Sequence, residues 1–147
     1  GHMAVTHGQL TASLVALLTA TRRGARTELS DSALAVVVRA MSASHGGSIN
    51  GAVLIWHQLN AKQERGHQMV KLGAVETLTE CLKVAVIEKE LQGPFVTQAQ
   101  WVMVALWRIF NYGDAKYRSV SSGVLVPMVK SLEDEPRSHL PNPQEVD

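Results

Sequence analysis

Two stretches of this chain repeat one pattern, so any fold is expected to contain the same element twice. Ala52–Glu80 reads AVLIWHQLNAKQERGHQMVKLGAVETLTE, and Met103–Lys130 reads MVALWRIFNYGDAKYRSVSSGVLVPMVK. Trp56 recurs as Trp107 (107 − 56 = 51), Asn60 as Asn111 (111 − 60 = 51) and Gly73 as Gly123 (123 − 73 = 50). The register therefore survives two helices and a turn. Repetition at a long, fixed spacing marks stacked helical units, each of which buries its apolar face only against its neighbours.

Apolar periodicity divides the chain into helices. Leu10, Leu14, Leu17 and Leu18 share one face of a helix over 9–23, which Gly24 ends after the cationic Arg22 and Arg23. Ser30 is an N-cap for the stripe Ala33, Leu34, Val37, Val38 and Met41, a helix expected to stop at Gly46 and Gly47. Ser48 then caps a third helix reaching Asn60, with Leu54, Ile55 and Leu59 turned inward. A short helix over about 62–71 breaks at Gly73, and Val75, Leu78, Cys81, Leu82 and Ala85 mark a longer one running to Gly93 and Pro94. Val102, Ala105, Leu106 and Ile109 define the next, closed by Gly113. A short helix over 114–121, a break at Gly123 and a helix through Leu132, with Pro127 in its first turn, complete the order. No hairpin or βαβ pattern interrupts it.

These boundaries imply one helical domain over residues 4–132 of the 147, preceded by Gly1, His2 and Met3, which read as an expression-tag remnant. Residues 133–147 carry three prolines, many charges and few apolar side chains, and are expected to form a mobile tail. Fourteen Lys and Arg balance thirteen Asp and Glu, so no overall field draws the chain to nucleic acid or an anionic membrane. No apolar run approaches the ~20 residues of a membrane span. Cys81 is the only cysteine, which excludes an internal disulfide and a multi-cysteine zinc site. An intracellular, cytoplasmic location is the expectation, with Cys81 a buried structural thiol on its helical stripe. The six histidines form no HExxH, and no phosphate-cradling glycine loop or nucleophile motif is present, so neither catalysis nor a cofactor is expected.

The short helix and glycine of HQMVKLGAVETL and YRSVSSGVLVPMV, and the longer-helix patterns VLIWHQLN and VALWRIFN, resemble the armadillo repeat family in type and order. The resemblance covers about residues 31–132. It implies an all-α fold, a short right-handed armadillo-type helical solenoid of three-helix units, with HEAT-like stacking as the competing arrangement. The family's unit is nearer ~40 residues, so the wider spacing here implies an insertion around 90–97. Only one unit, about 61–112, is complete. A truncated array exposes an apolar end unless something caps it, so self-association is a second expectation.

Trp107 and Asn111 fall off the packing stripe of their helix, as does Gln100, and the same relation places Trp56 and Asn60 off the stripe of Leu54, Ile55 and Leu59. In armadillo proteins that bind extended peptides, third helices line a concave groove and such Trp and Asn residues point into it; the resemblance implies that role here. An Asn amide can donate to and accept from a peptide backbone of any sequence, and a neighbouring indole offers a rigid apolar wall. His57 and Arg108, each following a Trp, would make the groove weakly cationic and favour acidic or C-terminal ligands. The competing reading packs both indoles between units and leaves the Asn residues as helix caps. The expected function is thus a non-catalytic protein-interaction module for an extended peptide or partner protein. The alternative is a structural assembly domain that homo-oligomerises or attaches to a cytoskeletal scaffold.

Overall fold

The computed structural model describes residues 28–42, 45–61, 64–88 and 93–134. Among them are seven helices and no strand: α1 (Asp31–Met41), α2 (His45–Ala61), α3 (Arg65–Lys71), α4 (Ala74–Glu88), α5 (Pro94–Ile109), α6 (Ala115–Ser121) and α7 (Leu125–Asp134). The fold class is therefore all-α. The first expected helix, residues 9–23, and the tail from 135 onward lie outside the described residues.

The apolar stripes read from spacing are the ones the fold buries. Leu34, Val37, Val38 and Met41 on α1, Val75, Leu78, Cys81, Leu82 and Ala85 on α4, and Val102, Ala105, Leu106 and Ile109 on α5 join one continuous core. Ser30 caps α1, its hydroxyl accepting from the Ala33 amide at 3.2 Å. Pro94 opens α5 at a position where a missing amide donor costs little.

The repeat is visible in the backbone. Long α2, short α3, a glycine turn and α4 are followed by long α5, short α6, a glycine turn and α7. Gly73 and Gly123 close the two short helices with the same left-handed φ of 86°. A residue with a Cβ pays to adopt that angle, which is why glycine stands at both places. The conserved geometry follows from the conserved spacing.

α4 is the hub. It packs most extensively against α5 and also meets α1, α3, α6 and α7, while α2 lies along α5 and α1. Cations fasten the second unit to the first at helix C-termini, where carbonyls lack intrahelical partners. The Arg118 guanidinium donates to the Val70 carbonyl at the end of α3 at 2.9 Å and pairs with Asp114 at 3.1 Å and Glu76 at 3.7 Å. The Lys83 ammonium of α4 donates to the Ser122 carbonyl at the end of α6 at 2.6 Å.

Several expected boundaries are corrected. Gly46 and Gly47 do not end α1; they lie in the first turn of α2, which begins at His45. Ser48 is no cap: it sits inside α2, buried, and its hydroxyl donates to the Met41 carbonyl at 2.6 Å, tying α2 to the end of α1. α4 is described as far as Glu88, so its expected run to Gly93 lies outside the described residues, and α7 continues through Asp134, so Glu133 and Asp134 belong to the helix and not to a tail.

Candidate functional site

α2 and α5 carry the two Trp-x-x-x-Asn pairs, and their packing against each other brings these equivalent helices side by side. The two pairs nonetheless end in different surroundings. Trp107 is 66 % exposed, whereas Trp56 is only 7 % exposed. His57 is buried beside Trp56, the two rings meeting edge to face at 5.0 Å. The expectation that Trp56 and His57 stand off the packing surface is therefore corrected. Every residue of α2 from Leu54 to Leu59 is buried, so this stretch leaves no open face for them to occupy.

Asn60 and Asn111 are both exposed, each near the C-terminal end of its helix. The Asn111 amide nitrogen turns back to donate to the Arg108 carbonyl at 3.2 Å, a helix-end contact that occupies one of its donors. Gln100 and Arg108 are half-buried on α5, and the Arg108 Nε is sealed without a hydrogen-bond partner. Of the seven residues singled out by sequence, Asn60, Trp107 and Asn111 are thus open to a macromolecule, Gln100 and Arg108 are partly so, and Trp56 and His57 are not.

A second concave feature was not legible in the sequence. Where α1, α2, α4 and α5 converge, a cleft of about 290 Å³ is lined by Met41, His45, Ser48, Cys81, Phe95 and Gln98, among others. The fully buried Gln98 organises it: its amide nitrogen donates to the Cys81 carbonyl at 2.8 Å, so its oxygen must accept from His45 Nδ1 at 2.6 Å. His45 also packs on Phe95 at 4.6 Å between ring centroids. The Cys81 thiol faces the Met41 carbonyl at 3.6 Å, and burial pushes its pKa up, partly offset by Ser48. A neutral, enclosed thiol is a poor nucleophile. Its polar groups are already engaged with one another, so the cleft reads as a hydrogen-bonded joint between helices. No three His, Cys, Asp or Glu side chains converge on a metal-sized site among the described residues.

The remaining surface signal is apolar. Leu125, Val126, Val129 and Leu132 stand exposed along α7, joined by Tyr117 and Val120 from α6. Nothing in the composition of these short helices marks them as exposed; the signal is their place at the end of the repeat. Compared with family models, with curated proteins and with solved structures, the chain matches none.

Proposed function

We propose that this chain is a non-catalytic protein-interaction module with armadillo-type stacking, which receives an extended peptide or partner protein along the surface where α2 and α5 run together. α2 and α5 take the part of third helices in successive units, and α3–α4 and α6–α7 that of the short and second helices. The twofold long, short, glycine, long order and the shared φ of Gly73 and Gly123 support this assignment. HEAT-like stacking is the nearest competing arrangement.

The observation that carries the functional reading is Trp107: a bulky indole held in water one helical turn before the exposed Asn111, on a helix whose opposite stripe is sealed. An exposed indole offers a large, rigid apolar face with a polar N–H, and Trp is a favoured anchor at interfaces. Asn60, on the neighbouring helix, supplies a second amide. Trp56 and His57 are buried and do not line this surface. A lone buried thiol fits an intracellular, cytoplasmic setting.

The test is selection of peptides from a random display library on the immobilised chain, followed by affinity measurement on the double variant Trp107→Ala, Asn111→Ala. Removing an anchoring Trp is expected to weaken selected peptides about thirtyfold, the equivalent of ~2 kcal/mol, with helical circular dichroism unchanged. Peptides that bind both proteins equally would remove this surface from consideration. The exposed α7 face favours the second reading, structural self-assembly, for which light scattering should show mass rising with concentration. A constant monomer mass removes that reading.

A further inference from the structure

Four Lys and Arg side chains are half-buried among the described residues, and one of them has no counter-ion. Arg65 pairs with Glu28 at 3.1 Å, Lys83 with Glu80 at 3.1 Å and Arg118 with Asp114 at 3.1 Å. Arg108 of α5 pairs with no described carboxylate, and its Nε is sealed from solvent without a hydrogen-bond partner. A guanidinium drawn partly out of water loses hydration that only an anion or well-placed acceptors restore. No described group provides either. α2 and α5 contain no Asp, Glu or Lys, and Arg108 is their only Arg. His57 is buried and His45 is held by Gln98 at 2.6 Å, so the guanidinium alone sets the sign of this surface. Trp107, 66 % exposed, immediately precedes it. The Arg108 carbonyl holds the Asn111 amide nitrogen at 3.2 Å, which leaves the Asn111 oxygen to accept from a peptide amide. Indole, cation and acceptor thus share one turn of α5.

Building on the assignment of α2 and α5 as a peptide groove, we infer that the extended peptide carries a carboxylate, from Asp, Glu or its own C-terminus, which pairs with Arg108 while an apolar neighbour lies on Trp107. With Nε closed off, the guanidinium offers its Nη1–Nη2 edge, whose two parallel N–H donors match the two oxygens of a carboxylate. A phosphate group would bring about two negative charges to a surface with a single cation and leave one unmatched. The anion does not come from residues 1–27, which contain no Asp or Glu. Glu90, Glu135, Glu145 and Asp147 are the acidic residues of this chain outside the described part, and they are the rivals that a test must separate from a peptide.

The probes are display-selected peptides that lose affinity on Trp107→Ala, each synthesised in four forms: every Asp and Glu kept or changed to Asn and Gln, and the C-terminus free or amidated. On the wild-type full chain the fully neutral form should bind about tenfold more weakly than the form that keeps its carboxylate. Whichever change causes the loss identifies side chain or terminus as the source. On Arg108→Gln the gap should close to within twofold, and on Arg108→Lys, which keeps the charge without the planar fork, it should shrink to about threefold. The lysine variant also decides the matter should the glutamine variant lose its wild-type circular dichroism. Neutral forms that match the acidic ones on wild type, or a gap that persists on Arg108→Gln, overturn the inference and leave the groove standing. The absence of any Trp107-dependent peptide removes both. Two further results would overturn it. A tenfold gain in acidic-peptide affinity on Glu90→Gln, Glu135→Gln, Glu145→Gln, Asp147→Asn would make the chain's own carboxylates the occupant. A concentration-dependent dimer that Arg108→Gln dissociates would give that place to a second copy.

Discussion

Gly46 and Gly66 both sit in the first turn of a helix, yet a methyl group added to each should move stability in opposite directions. A Cβ on Gly46 meets nothing, so Gly46→Ala gains from a less flexible unfolded chain, about 0.4–1 kcal/mol. A Cβ on Gly66 would run into the ring of Tyr112, which is buried and meets His67 edge to face at 5.7 Å. Overpacking of this kind costs about 1–3 kcal/mol and outweighs the same entropic gain. Urea midpoints for the two variants should therefore fall on either side of wild type. Cys81 gives a prediction in pH. Its folded pKa is raised by burial, so its contribution to stability is full below the ordinary thiol range and is lost as pH rises through that range and on to the folded value. Wild type should lose stability between neutral and alkaline pH more steeply than Cys81→Ala, read from urea midpoints across that interval. The buried thiol was legible from its stripe; the fate of Trp56 was not. Trp56 and Trp107 occupy one repeat position, and their surroundings differ because α2 is enclosed by other helices whereas the outer side of α5 is open.

Between elements, the cations at helix ends do what the short helices cannot do alone. α3 and α6 have seven residues each, too few to persist by their own hydrogen bonds, and neither has a side-chain N-cap. Arg118 joins them, donating to Val70 at the end of α3 while pairing with Asp114 at the start of α6. Arg118→Met keeps most of the aliphatic stem and removes those contacts. With the side chain about one-third exposed, the loss is on the order of 1 kcal/mol after solvent screening. Amide exchange in α6 and in α5 should quicken by the same factor in that variant, because the contact is lost in either opening; quickening in α5 alone would mean that the contact survives the opening of α6. At this scale the sequence was most informative where a stripe met a turn, as at Val75–Ala85 after Gly73. It misled at Gly46, Gly47 and Ser48, whose composition reads as a break and a cap. Helix continues there because tertiary contacts decide: the Ser48 hydroxyl is taken by the Met41 carbonyl, and Gly51, lacking a Cβ, lets the Met41 side chain come close.

Across the whole molecule, stability should fall from the hub toward the second unit, because units in a stacked array draw stability from neighbours on both sides. α4 is packed by α1, α3, α5, α6 and α7, so its amides can exchange only when most of the fold opens. α6 and α7 have their main packing on α4, and α7 leaves its outer face in water. Opening this pair exposes little further apolar surface and costs less than global unfolding. Native-state hydrogen exchange should therefore assign amides in 126–130 a lower opening free energy than those in 78–82. Gly123→Ala sharpens the test: a Cβ at φ 86° costs about 1–2 kcal/mol, and the penalty is released once α6 and α7 detach. Exchange in α7 and in α4 should quicken by the same factor in that variant, because both openings release the strain, and the gap between sub-global and global opening should stay as in wild type. Gly73→Ala places the same strain beside the hub, where it persists when only α6 and α7 detach, and should lower the opening free energies of α4 and α5 while leaving that of α7 unchanged. If Gly73→Ala instead lowers the opening free energy of α7 as much as those of α4 and α5, the chain unfolds as a single cooperative block, and the two units are a repeat in sequence and backbone but not in energy.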